Sequence, residues 1–258
     1  MNIRDPHVRL AEGVPVLAGT LHGIGVGPGD PELITMRAVR LIRDARVVTY
    51  FAKKGRRGHA RTIVDPWIST ACEELPLYYP MTTEVHFGDA AYRREVGAFY
   101  DEAAALIALR LDAGDSVALL CEGDPLFYGS FMHVFERLKE SSRISICPGV
   151  TGMSGCWAAA QTPITWGDDI LTVLPGTLDE STLTQRLSGT DAAVIMKLGS
   201  NFAKVRRAIE EAGLIDRAMY VERGTMSGER ILPLAETMPD EPAPYFSLIC
   251  VPGHGRRP

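Results

Sequence analysis

Leu21-His22-Gly23-Ile24-Gly25-Val26-Gly27-Pro28-Gly29-Asp30-Pro31 decides the fold class. Residues 21–26 read as a short buried strand. The glycines that follow break it into a tight turn. Asp30 then sits where a helix N-cap belongs, with Pro31 at the first helical position. Ile34, Ala38, Leu41, Ile42 and Ala45 recur on one helical face, so a helix is expected over 31–43. A strand passing through a glycine turn into a helix is the building unit of an α/β protein. Such a turn presents backbone N–H groups and the positive end of a helix dipole to a polar ligand group. The dinucleotide fingerprint fails here, because Asp30 stands where G-x-G-x-x-G needs its third glycine. No acidic residue closes the following strand at 46–51, and no G-K-[ST] is present for a P-loop. On these residues alone the turn is equally well a plain connection that Asp30 caps.

The alternation continues along the chain. A long helix is expected over 90–112, with Tyr92, Val96, Phe99, Ala103, Leu106 and Ile107 on one stripe and Gly114 as its stop. A buried strand follows at 116–121. Helices are expected at 128–138, 154–160 and from Asn201, as cap, to 212. Strands are expected at 144–147, 169–174, 192–197, 218–222, 230–234 and 246–251. The later strands lie close enough together to include antiparallel pairs. The polar stretch 140–143 marks a domain junction. This gives a leader at 1–17, an N-terminal α/β domain at 18–140 and a C-terminal α/β domain at 141–258.

Three more glycine turns follow strands. They are Glu122-Gly123-Asp124-Pro125-Leu126-Phe127-Tyr128, Pro148-Gly149-Val150-Thr151-Gly152 and Glu222-Arg223-Gly224-Thr225. Each lies beyond the carboxyl end of a strand, where ligands bind in open α/β sheets. Each alone is weak; the set in this order is far more specific.

Composition narrows the function. The 258 residues are 46% hydrophobic and 23% charged, enough to fill a core. Lys plus Arg is 27 and Asp plus Glu is 32, a net charge of −5, which argues against a nucleic-acid binder. No apolar run approaches the roughly 20 residues of a membrane span. The five scattered cysteines show no C-x-x-C spacing and suit a reducing cytoplasm. No clustered ligand set for a metal is visible.

At the glycine turns the sequence resembles the tetrapyrrole methylase family, which depends on S-adenosylmethionine. The matching stretches are Val26 to Thr35 (VGPGDPELIT), Glu122-Gly123-Asp124-Pro125, Pro148-Gly149-Val150-Thr151 and Glu222-Arg223-Gly224-Thr225. Within the family the resemblance is strongest to members that methylate precorrin-2 at C20 on the aerobic route to cobalamin. Tyr50-Phe51-Ala52-Lys53-Lys54-Gly55 and Tyr79-Pro80-Met81-Thr82-Thr83-Glu84 carry that narrower likeness. The resemblance implies two α/β domains with mixed sheets, a cofactor cleft between them, and a homodimer. It implies that Pro28 lines the cleft. Glu122, Gly123 and Asp124 would meet the methionine end of S-adenosylmethionine, with Phe127 close by. Thr151 and Gly152 would lie on its other side, and Met196 and Gly224 would flank the adenosine. Glu122 departs from the Gly that many relatives carry; its carboxylate either pairs with the cofactor's ammonium or points to solvent.

The implied acceptor is an acid-rimmed macrocycle, which calls for cations without a basic protein overall. Lys53, Lys54, Arg56, Arg57 and Arg61 crowd into one glycine-containing segment. They suit carboxylates in the bidentate manner of arginine, or form a solvated surface loop. Methyl transfer needs alignment more than covalent catalysis, and no nucleophile with an adjacent base is visible. A base would help to remove the C20 proton. His22, His59, Tyr79, Glu84 and His86 qualify by position only, so no catalytic residue is assigned. The enzyme acting on the cobalt-containing substrate, another tetrapyrrole methyltransferase, and a non-catalytic binding module remain open at this point.

Overall fold

The computed structural model describes residues 19–80, 90–240 and 242–254, without the side chains of residues 90–92. The expected leader and residues 81–89 therefore lie outside the described residues. The chain divides into two compact units.

The first unit is built on a five-stranded sheet. Its strands are β1 (Thr20–Gly25), β2 (Val47–Lys53), β3 (Glu73–Tyr79), β4 (Val117–Cys121) and β5 (Arg143–Cys147), ordered β3-β2-β4-β1-β5. Every pairing in it is parallel, so this sheet is not mixed as the resemblance implied. Parallel neighbours need crossover connections, and the helices between the strands provide them. These are α1 (Met36–Asp44), α2 (His59–Ile63), α3 (Ala90–Asp112) and α4 (Phe131–Leu138). Alternate strand residues Leu21, Val117 and Leu119 form a core with Phe99, Ala103 and Ile107 of α3 and Phe131 and Val134 of α4. Gly23 lies on that face because Phe131 fills the space a side chain would need; a Cβ there would lie 2.4 Å from its ring.

Two helix starts differ from the sequence reading. Residues 31–43 are not one helix. Asp30 caps only a single 3-10 turn, Pro31–Leu33, by accepting from the Glu32 N–H at 2.8 Å. The chain then extends through Ile34, and Thr35 caps α1 by accepting from the Ala38 N–H at 3.2 Å. Likewise α4 begins at Phe131, because Tyr128 adopts φ 55 and ends any earlier turn. The expected junction at 140 also moves. β5 pairs with β1, and the first unit runs to Pro148.

The second unit carries β6 (Leu171–Pro175), β7 (Ala192–Met196), β8 (Met219–Glu222), β9 (Arg230–Pro233) and β10 (Ser247–Val251), ordered β6-β7-β10-β8-β9. Here β6 and β7 are parallel and the other pairings antiparallel, so this sheet is mixed. Period-two alternation assigns its two faces. Ala193, Ile195 and Ile249 point to α6 (Glu180–Leu187) and α7 (Phe202–Glu211), meeting Leu183, Val205 and Ile209. Val194, Val221 and Cys250 point to α5 (Gly152–Ala159), meeting Cys156. Asn201 is helical and makes no capping bond; a 3-10 turn, Gly199–Asn201, leads straight into α7. Two segments from earlier in the chain, Val26–Ile34 and Glu122–Asp124, belong to this unit. Among the described residues, no helix is long and apolar enough to cross a membrane.

Candidate functional site

The glycine turns come together inside the second unit. β1 and β4 are neighbours with Gly25 opposite Cys121, so the turns that follow them leave side by side. Gly27 and Gly123 form an isolated antiparallel bridge, with the Gly123 N–H donating to the Gly27 carbonyl at 2.8 Å. Both have positive φ, 84° and 64°, which glycine adopts without strain. The Gly149 N–H donates to Asp124 Oδ2 at 3.1 Å, which ties the second turn to the third. A Cβ on Gly123 would lie 3.4 Å from the Gly152 nitrogen, at the start of α5.

Small residues let the other turns close in. A Cβ on Gly155 would lie 2.7 Å from the ring of Pro28 and 3.3 Å from Thr225 Cγ2. One on Gly224 would lie 2.7 Å from Cys156 Sγ. Gly29 is covered in the same way by Met226. The structure thus brings together Pro28, Gly123, Asp124, Thr151, Gly152 and Gly224. Met196 joins them on the α5 face of the sheet; like Met153 and Trp157, it packs against the cluster that holds Cys156. Burial pushes the Cys156 thiol up to about 12, so it stays protonated. Glu122 is exposed beside this set. Phe127 belongs to the first unit, where its ring packs edge-to-face on Tyr128 at 4.9 Å.

Thr225 is a residue that sequence reasoning missed. Its φ is 68°, rare for a β-branched residue, and that of Arg223 is 50°. Its Oγ1 is buried without a hydrogen-bond partner, although its N–H donates to Glu229 Oε2 at 2.7 Å. The Glu222-Arg223-Gly224-Thr225 motif marks its location; the strain and the orphan oxygen arise from the folded backbone.

The basic segment behaves differently from its expectation as a substrate clamp. Arg61 is 5% exposed. Its Nε donates to Glu74 Oε2 at 2.8 Å and its Nη2 to Glu74 Oε1 at 2.5 Å, and it also pairs with Asp65. Arg57 forks onto the same Asp65, at 2.8 and 2.5 Å. Tyr50 donates to Glu74 Oε2 at 3.1 Å. The Arg61 guanidinium holds the Glu74 carboxyl below its usual range, and the Glu74 hydrogen bond raises Arg61. Arg61 is therefore structural, and Arg57 is held in the same network. Lys53, Lys54 and Arg56 are exposed.

Of the candidate bases, Glu84 and His86 lie outside the described residues. His22 has a buried, unpartnered Nδ1; burial first, and then Arg37, lower its pKa, so it is neutral at pH 7. His59 is exposed at the start of α2. Tyr79 is half-buried at the end of β3, with its hydroxyl 2.5 Å from Ser130 Oγ. No group of three or more His, Cys, Asp or Glu side chains that could hold a metal occurs among the described residues.

The pattern of the Tetrapyrrole (Corrin/Porphyrin) Methylases matches residues 20–237. The chain belongs to this family. The precorrin-2 C(20)-methyltransferase of Sinorhizobium sp is 51% identical over 240 residues, 93% of this chain and 98% of that protein. The cobalt-precorrin-2 C(20)-methyltransferase of Salmonella typhimurium is 30% identical, over 90% of this chain and 96% of that one. Among solved structures, the uroporphyrin-III C-methyltransferase of Thermus thermophilus complexed with S-adenosylhomocysteine has the same fold. Its TM-score is 0.63 at 20% identity, covering 91% of this chain and 92% of that one.

The cluster of glycine turns fits a small polar donor. Gly152 has open space where a Cβ would stand, and the first N–H groups of α5 point out of the helix. The buried Thr225 Oγ1 offers a hydroxyl, and Asp124 and Glu122 offer carboxylates. An amino acid's charged groups and a nucleoside's hydroxyls need such a mixture.

Proposed function

We propose that this chain transfers a methyl group from S-adenosylmethionine to C20 of precorrin-2, giving precorrin-3A in cobalamin biosynthesis. The observation that carries this reading is the 51% identity with a precorrin-2 C(20)-methyltransferase across almost the full length of both chains. Asp124, Glu122, Thr151, Gly152, Thr225 and the Pro28 turn hold the donor, and Met196 and Gly224 pack beside it. When bound, the donor supplies an electrophilic methyl group on a sulfonium. The chain's own work is alignment, worth about 7–11 kcal/mol where two reactants are held in line. The glycine turns suit that task because each is fixed by a neighbour: Gly27 by Gly123, Asp124 by Gly149, and Pro28 by Gly155. Phe127, three residues along the chain from Asp124, is assigned to the methionine end as the family resemblance implies. Lys53, Lys54 and Arg56 bind the carboxylates of the macrocycle, while Arg57 and Arg61 hold the base of their loop. The enzyme works in the cytoplasm, which the free cysteines Cys72, Cys121, Cys147, Cys156 and Cys250 support. It is a homodimer, as the family resemblance implies.

The test is to incubate the purified protein with S-adenosylmethionine and precorrin-2, in parallel with the cobalt-containing macrocycle. Mass spectrometry and NMR then locate the new methyl. A single addition at C20 of the metal-free substrate supports the reading. Faster turnover of the cobalt form assigns the chain to the activity named for the Salmonella relative.

A further inference from the structure

Ser130 holds the N-cap position of α4 yet makes no capping hydrogen bond. A serine at this position ordinarily accepts from a backbone N–H of the first turn, and here the hydroxyl is engaged elsewhere. Tyr100 Oη donates to Ser130 Oγ at 3.0 Å, and Tyr79 Oη meets the same oxygen at 2.5 Å. Tyr100 is 5% exposed and Tyr79 is half-buried, so the hydroxyl chain runs from the interior toward Tyr79.

Packing fixes the Tyr79 ring. Phe51 stacks on it at 5.5 Å with a 24° interplanar angle, and Phe99 tilts against it at 5.0 Å. Tyr79 ends β3, in register with Lys53 at the end of β2. Its oxygen is thus held at the carboxyl end of a wholly parallel sheet, the end outside which ligands bind, with a lysine on the adjacent strand.

We infer that Tyr79 takes up the proton lost from C20 and that Ser130 and Tyr100 are positioning residues for its oxygen. This rests on the methyl-transfer reading above. Methylation leaves C20 bearing both a methyl group and a hydrogen, and the macrocycle with one extra positive charge. The C20–H bond breaks, its electron pair returns to the conjugated ring, and the proton goes to the Tyr79 phenolate. With Ser130 donating to that phenolate and Tyr100 donating to Ser130, both hydrogen bonds run toward the negative oxygen and favour the charged form. The titratable or charged groups on the elements packed here include Lys53 on β2, Glu74 on β3, Asp101 and Glu102 on α3, and His133 and Arg137 on α4. His133 stacks on Tyr100 at 4.2 Å, and Arg137 lies 5.8 Å over the same ring while pairing with Asp101.

The experiment compares wild type, Y79F, S130A and Y100F in single-turnover formation of the deprotonated product, precorrin-3A, from precorrin-2 across pH. Calorimetry with S-adenosylhomocysteine and a thermal melt accompany each variant. Y79F keeps the ring stack and removes only the hydroxyl. Its rate falls about 100-fold, the low end of general acid–base contributions, with S-adenosylhomocysteine affinity within about two-fold of wild type. S130A moves the rising limb of the pH–rate profile to higher pH, Y100F moves it less in the same direction, and S130T restores it. A merely structural Ser130 would lower the rate or the melting temperature without moving the profile. Wild-type rate in Y79F, or an unmoved profile in S130A, overturns this inference alone. A wild type that leaves precorrin-2 unchanged overturns the functional reading, and this inference with it.

Discussion

The basic segment after β2 and the glycine turns of the second unit are held in place by different means. In the basic segment, charge is tied down by charge. Arg61 is closed in by Glu74 and Asp65, and Arg57 shares Asp65. In the turns, backbone is tied down by the absence of side chains: Gly27 lies against Gly123, and Gly155 against Pro28. The sequence advertises the first region loudly and the second softly, yet the second assembles as its motifs suggest. A run of arginines reports composition, and each cation's task depends on carboxylates elsewhere in the chain. A glycine reports the path of the backbone at its own position.

The sharpest way to break this contrast is Arg61→Met. Removing one partner of a buried ion pair costs about 3–5 kcal/mol. The low end, about 3, applies because the Glu74 and Asp65 side chains are 37% and 41% exposed. Chemical denaturation checks the loss, and S-adenosylhomocysteine affinity stays at the wild-type value. Unchanged stability would return Arg61 to the surface clamp. Next, Gly155→Ala drives a Cβ against Pro28. Overpacking of this kind costs about 1–3 kcal/mol. The displaced Pro28 turn weakens S-adenosylhomocysteine binding by about ten-fold in calorimetry, while the ion-pair network stays intact.

A smaller effect reads the network through pH. The Glu74 carboxyl is held below its ordinary value of 4.5, chiefly by Arg61. Its contribution to stability is fully present above that ordinary value and is lost as pH falls through the depressed one. Glu74→Gln therefore flattens the loss of stability below pH 4.5, as followed by urea melts at successive pH values. The smallest effect belongs to the exposed cations. The double variant K54A/R56A raises the KM for precorrin-2 several-fold at low salt and much less at high salt, since exposed charges are screened within about 10 Å at 0.1 M. Stability and kcat stay unchanged.

The parts of the fold legible in the sequence are those with strong periodicity. α3 was expected at 90–112 and spans Ala90–Asp112, although Leu106, expected inward, is 38% exposed. Elements with weak apolar signals escaped. In α6 only Leu183 and Leu187 are buried. β3 carries Pro76, which argues against a strand, yet among the described residues it is an edge strand paired only with β2, where proline is tolerated. α1 was placed too early because Asp30-Pro31 is a good start signal that the chain uses for one 3-10 turn only. For the site, the glycine positions were readable because tight turns demand that residue. Arg61's partner Glu74 was not, because it lies 13 residues away and on a different element. The Tyr79–Ser130 contact spans 51 residues and follows only from the sheet order.

The Gly27–Gly123 bridge also constrains how the protein can be made and cut. Residues 26–34 and 122–124 leave the ribosome long before β6 through β10, the strands of the unit they belong to. Apart from the bridge between them, their contacts within the second unit must wait until the rest of it is synthesised. A fragment beginning at Gly149 lacks both pieces of its own fold. The chain is therefore a poor candidate for dissection at its most obvious sequence boundary, and fragment complementation would require both missing segments to be supplied in trans.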